Sequence, residues 1–142
     1  MRIIILSVML VLTANVFGYC GAVDNTFGQL KSELKSLGVS DQFIKITESS
    51  VKRMIVSEAK ISDVKTVLLD LWGQGVKTRA LKNAVAAVAG LVASGDSTLE
   101  AASIASGAAH KAEAEGLRGF GVGMRVKKAV QDRKAYLKSL KK

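Results

Sequence analysis

Apolar residues recur along this chain at helical spacing. After Ser62, the set Val64, Val67, Leu68, Leu71 and Trp72 falls at i, i+3, i+4, i+7 and i+8, the stripe that a helix turns toward a core. Leu81, Ala84, Val85, Val88, Leu91 and Val92 repeat it, and Phe43, Ile44, Ile46, Val51, Met54 and Ile55 mark a helix that Ser40 can cap. Thr26-Phe27-Gly28-Gln29 has the form of a capping box and predicts a short helix from Thr26 to Leu37. Ser97-Thr98-Leu99-Glu100 is a second box, which starts a helix running to Glu115.

The stops between these segments share one form, Gly38-Val39, Gly75-Val76 and Gly116-Leu117. A glycine in the left-handed conformation at C′, followed by an apolar residue that folds back on the last turn, is a common helix ending. The stops lie 37 and 41 residues apart, close to the period of a helix-turn-helix repeat. Any amphipathic helix placed after such a cap would align about as well, so an irregular bundle is preferred to a repeat. The pattern therefore predicts an all-α fold, a small irregular helical bundle or helical-hairpin array of about five helices after an N-terminal signal peptide.

That signal peptide is expected because Arg2 precedes an apolar run from Ile3 to Leu12 and small residues follow at Gly18, Gly21 and Ala22. The run is shorter than the roughly 20 residues of a membrane span, so cleavage near Gly18 or after Ala22 is expected. The chain divides into 1–22, a secretory signal; 23–116, a neutral helical body; and 117–142, a Gly-rich hinge with a basic amphipathic C-terminal helix. Export to the periplasm or the medium follows from this division. Cys20 is a candidate lipidation site of a lipoprotein, although Tyr19 is bulky for the position before such a cysteine.

Composition narrows the chemistry. The 142 residues are 49% apolar and 23% charged with no proline, which suits a packed helical domain. A single cysteine excludes a disulfide framework, a thiolate zinc cluster and a CxxC redox pair. His110 is the only imidazole; with Glu113 it shares a helix face, but a di-metal site needs several more ligands. No catalytic residue, metal or cofactor is nominated, and the chain is expected not to be an enzyme. Ala, Gly and Ser fill both arms of the hairpin from Ala84 to Ala109, as in close-packed transmembrane helices. The uninterrupted apolar run from Ala84 to Ala93 is only ten residues, half a span, which favours a soluble hairpin.

Charge is the informative feature. Residues 23–116 hold 11 Lys+Arg and 11 Asp+Glu, whereas residues 117–142 hold nine cations against Asp132 alone. The nine, Arg118, Arg125, Lys127, Lys128, Arg133, Lys134, Lys138, Lys141 and Lys142, are the candidate anion-binding residues. Val122, Val126, Ala129, Val130, Leu137 and Leu140 form an interrupted apolar stripe on the same helix, with Tyr136 beside it. Such a helix can lie on an anionic membrane, fill a partner's groove, or dock on its own core with the cations in water. The preceding Gly116-Leu117-Arg118-Gly119-Phe120-Gly121-Val122-Gly123 lacks the order and the strand of a phosphate-binding loop, and is expected to be a hinge.

The function expected is that of an exported, non-enzymatic binding protein whose basic C-terminal helix associates with an anionic surface or polymer, phospholipid or lipopolysaccharide ahead of nucleic acid. The alternative is a helical protein–protein interaction or structural module of the cell envelope, its partner an envelope or secreted protein, with the tail as a solvated end. No small-molecule cofactor is expected in either case.

Overall fold

The computed structural model describes residues 2–73 and 78–141, with side chains for residues 19–73 and 82–141. Six helices occur among the described residues: α1 (Arg2–Ser36), α2 (Asp41–Val56), α3 (Ile61–Gly73), α4 (Thr78–Val92), α5 (Thr98–Ala114) and α6 (Phe120–Ser139). No strand occurs among the described residues, and the helix count exceeds the expected five by one.

The first expected helix start is corrected. Thr26 caps nothing: α1 runs unbroken through it, and the Thr26 hydroxyl donates to the Ala22 carbonyl at 2.9 Å. With no proline present, lone glycines such as Gly21 and Gly28 cost a helix only about 1 kcal/mol each relative to Ala, too little to break it. The α1 face so formed buries Val23, Phe27, Leu30 and Leu34 at i, i+4, i+7 and i+11.

The helix ends carry the regularity. At Gly38, φ is +84°; its N–H donates to the Lys35 carbonyl and the Val39 N–H to the Leu34 carbonyl, both at 3.0 Å. These two bonds define a Schellman ending, and an L side chain at that φ would crowd the following carbonyl. Gly95 and Gly116 close α4 and α5 with the same pair of bonds. The fourth ending has no glycine: Glu58 takes φ +59°, its N–H donating to Ile55 and the Ala59 N–H to Met54. The expected stop at Gly75-Val76 lies outside the described residues.

The α1–α2, α2–α3 and α4–α5 turns are short, and the next helix begins at once. Ser40 accepts from the Phe43 N–H at 3.2 Å and Ser97 from the Glu100 N–H at 3.2 Å, as expected of their capping patterns. Corners therefore repeat as C′, C″, N-cap at Gly38-Val39-Ser40, Glu58-Ala59-Lys60 and Gly95-Asp96-Ser97. Among the described residues, each helix packs only against the helices one and two places away in sequence. That ladder of neighbours sets α1, α3 and α5 in one layer and α2, α4 and α6 in the other. Within the expected all-α bundle, this is the neighbour-to-neighbour order of a helical-hairpin array.

The core runs continuously through the array. Phe43, Leu30, Leu34, Met54, Leu68 and Leu91 are its largest fully buried side chains. The α3 stripe is buried at Val64, Val67, Leu68 and Leu71, whereas Trp72 is half-buried, its ring 5.3 Å from that of Phe43. α4 and α5 pack on one another, and the small side chains Ala84 and Ala89 of the first and Ala101 and Ala105 of the second are buried. Thr47, buried in α2, satisfies its hydroxyl on the Phe43 carbonyl at 2.8 Å.

Two substitutions with opposite signs check this account in one urea-unfolding experiment. Leu68→Ala removes a side chain that is 1% exposed and is expected to cost about 2–5 kcal/mol; a loss under about 0.5 kcal/mol contradicts its burial. Glu58→Gly relieves a left-handed L residue and is expected to gain about 0.5–1 kcal/mol after the entropy of the unfolded glycine is subtracted. A loss at Glu58→Gly contradicts the strain assigned to that corner.

Candidate functional site

Of the candidate anion-binding residues, Arg125, Lys127, Lys128, Arg133, Lys134 and Lys138 lie on α6, Lys141 just past its end and Arg118 in the turn that leads into it, while Lys142 is outside the described residues. That turn is the stretch expected as a hinge. Gly116 and Gly119 occupy it, whereas Gly121 and Gly123 are already helical. A Cβ on Gly121 would stand 3.3 Å from the Leu117 side chain, so glycine there lets Leu117 fold over the start of α6. The N-cap, Gly119, offers no side-chain hydrogen bond to the first turn.

The apolar stripe of α6 faces the protein's own core. Val122 and Val126 are buried against α4 and α5, Ala129, Val130 and Leu137 are half-buried, and Leu140 is exposed at the helix end. Of the three uses open to a basic amphipathic helix, the stripe serves the internal one.

One ion pair fixes the register of this docking. Asp96, at C″ of the α4 ending, has a side chain only 4% exposed, and it accepts from Arg133 twice, at Oδ2 from Nε and at Oδ1 from Nη2, both at 2.8 Å. The Ser97 N–H adds a third donor at 3.2 Å, and the guanidinium lies 5.2 Å from the Tyr136 ring centre. A bidentate guanidinium–carboxylate contact holds both groups in one geometry. The Asp96 hydrogen bonds hold Arg133 above its ordinary proton affinity, against the opposing effect of desolvation.

The nine cations thus separate by what they meet. Arg125 pairs with Glu115 at 2.7 Å, Lys128 with Asp132 at 3.0 Å and Arg133 with Asp96. Lys134 and Lys141 lean over the end of α4: their Nζ atoms would lie 3.7 and 3.6 Å from a Cβ on Gly90 and on Gly95. The carbonyl end of a helix carries partial negative charge and favours cations there. Arg118, Lys127 and Lys138 are exposed with no carboxylate partner among the described residues, and Lys142 lies outside them. The site residues therefore share one helix without forming one pocket.

Two apolar side chains join them that the sequence pattern did not single out. Phe120 is 84% and Met124 50% exposed, one turn apart at the start of α6. Their i, i+4 spacing was the available signal, hidden among glycines. Between α5 and α6 runs a cleft of about 590 Å³, lined by Ser103, Ile104, Gly107, Ala108, Ala129 and Tyr136 among others.

Set against known protein families, characterised proteins and solved structures, the chain matches none. Its site is thus interpreted from its own residues. His110 and Glu113 are both exposed on α5, and among the described residues no three His, Cys, Asp or Glu side chains stand close enough to hold a metal ion. Cys20 is exposed on α1, beside Tyr19, whose hydroxyl donates to the Val56 carbonyl at 3.1 Å. Among the residues with described side chains, no helix is long and apolar enough to cross a membrane.

A double-mutant cycle tests the anchor. Arg133→Met strands the Asp96 carboxylate and is expected to lower the melting temperature by several degrees, and Asp96→Leu alone to strand the guanidinium. The double variant is expected to be more stable than the sum of the two losses, because neither charge is left behind. Additive losses in thermal unfolding would show that the pair contributes nothing as a pair.

Proposed function

We propose that the protein is an exported, non-enzymatic binding protein whose basic C-terminal helix associates with an anionic surface or polymer, phospholipid or lipopolysaccharide before nucleic acid. The observation that carries this is the outward placement of cations on α6. Arg118, Lys127 and Lys138 answer no carboxylate among the described residues, while residues 23–116 are balanced in charge. A concentrated positive field on a neutral body attracts anions over about a Debye length and gives way to salt. Because the α6 stripe is engaged internally, the association is with a docked helix, through its outer face. Export rests on Arg2, the apolar run that follows it and the small residues to Ala22, with Cys20 as the candidate lipid attachment site.

A second proposal, a helical interaction module for an envelope or secreted protein, draws on the cleft between α5 and α6. Small residues at Gly107, Ala108 and Ala129 would let a partner helix come near.

The two differ in their response to salt. The test is co-sedimentation with neutral and anionic vesicles, using the native chain and an Arg118→Gln, Lys127→Gln, Lys138→Gln variant. Those three positions have no carboxylate contact to lose, so the fold is kept, which removal of α6 from α4 and α5 would not guarantee. With about 1 kcal/mol per cation near an anionic surface, the triple change is expected to weaken binding about a hundredfold. Binding should vanish at 1 M salt, where the Debye length is about 3 Å. Equal binding of both proteins, or none to anionic vesicles or polyanions at low salt, turns the case to the interaction module.

A further inference from the structure

Phe120 is the most exposed large apolar side chain among the described residues, at 84%, and Met124 follows it one helical turn on at 50%. Neither position is explained by packing, since the buried face of α6 lies on Val122 and Val126. Neither is explained by solubility, which a terminal helix secures with charge. At 100° per residue, positions 120, 124, 127, 131 and 138 fall within about 60° of one another, so Phe120 and Met124 continue the line on which Lys127 and Lys138 stand. Arg118, two residues before Phe120, adds a cation at the same end. The outer face of α6 thus holds an apolar end and a cationic remainder, over about 27 Å from Phe120 to Lys138 at 1.5 Å per residue.

An anionic polymer in water offers nothing to the apolar end, whereas a bilayer offers anionic headgroups above an apolar interior. We infer that Phe120 and Met124 enter the interfacial layer of an anionic phospholipid bilayer while Arg118 and Lys127 hold headgroup phosphates. This rests on the proposal that α6 binds anionic surfaces, and narrows it to a lipid surface met by the start of the helix. The cations bring the helix to the membrane, and aromatic burial at the headgroup level retains it there. The glycines around Phe120 remove neighbouring side chains that would hold its ring away from the lipid.

The test uses the full chain in a Cys20→Ser background, which removes its only thiol, with Met124→Cys carrying an environment-sensitive fluorophore. Vesicles of phosphatidylglycerol, vesicles of phosphatidylcholine and soluble polyphosphate are titrated in turn, and a lipid with brominated chains reports contact with the acyl region. The expected result is a blue shift and bromine quenching with phosphatidylglycerol alone, and a loss of affinity of roughly tenfold or more in unlabelled Phe120→Ser. Circular dichroism verifies that the exposed Phe120→Ser variant keeps its fold. Should the chain adsorb to phosphatidylglycerol in a salt-sensitive way while the fluorophore stays aqueous and Phe120→Ser binds like the native chain, the insertion is refuted and the electrostatic proposal stands. Absence of any adsorption, or an equal fluorophore response to polyphosphate, refutes the lipid surface as the partner, the former together with the electrostatic proposal.

Discussion

The last carbonyls of a helix have no partners within it, and they must be met by whatever comes next. At the ends of α1, α2, α4 and α5 two backbone N–H groups of a left-handed residue and its successor meet them, and in all but the last the very next residue caps the following helix. A corner that short leaves the next helix no route except back along the previous one. The ladder of contacts, in which no helix touches another more than two places away among the described residues, follows from the corner. The core is continuous across these helices: Phe43, Leu68, Val88 and Ala105, from α2, α3, α4 and α5, belong to one buried cluster.

Within that rule one corner differs, and the difference sets the far end of the chain. Where the other endings place Val39, Ala59 or Leu117 at C″, α4 places Asp96, with its side chain 4% exposed. A carboxylate withdrawn from water at that position requires donors, and the Ser97 N–H supplies only one. Arg133, 37 residues on, supplies two more, and in doing so fixes how far along α4 the terminal helix docks. Val122 and Val126 then fall on the α4–α5 surface, and Lys134 and Lys141 over the negative end of α4. Much of the cationic excess of the tail is thereby explained as structure, which leaves a smaller set, Arg118, Lys127 and Lys138, whose place on the outer face the fold does not require.

What the sequence makes legible follows from the range of each interaction. The stripes on α3 and α4, the caps at Ser40 and Ser97 and the glycine corners at Gly38 and Gly116 are local, decided within a turn or two, and each is visible in the residues themselves. The Glu58 corner was hidden because a glutamate there gives no glycine signature; only Ala59 at C″ hinted at it. Thr26 misled because a capping pattern is equally at home inside an unbroken helix, where its hydroxyl bonds back to Ala22. Which of the two expected architectures the helices form was not legible, since which helix meets which depends on tertiary contact, and the Asp96–Arg133 pair joins residues that no local pattern connects. At the site, the nine cations were countable from the sequence, but the separation of paired from outward-facing ones was not.

The outer face of α6 is covered by no other helix among the described residues, and a face so left must be given to water. Charged side chains are the usual means, so a lysine-rich α6 is by itself no more than a well-made end. The same demand makes large apolar side chains on that face costly to keep, since they neither pack nor dissolve. Phe120 and Met124 stand there nonetheless, beside cations and next to glycines that leave the ring uncovered. Neither belongs to the buried core of the fold. Their position is therefore the feature of α6 that neither its packing nor its charge accounts for.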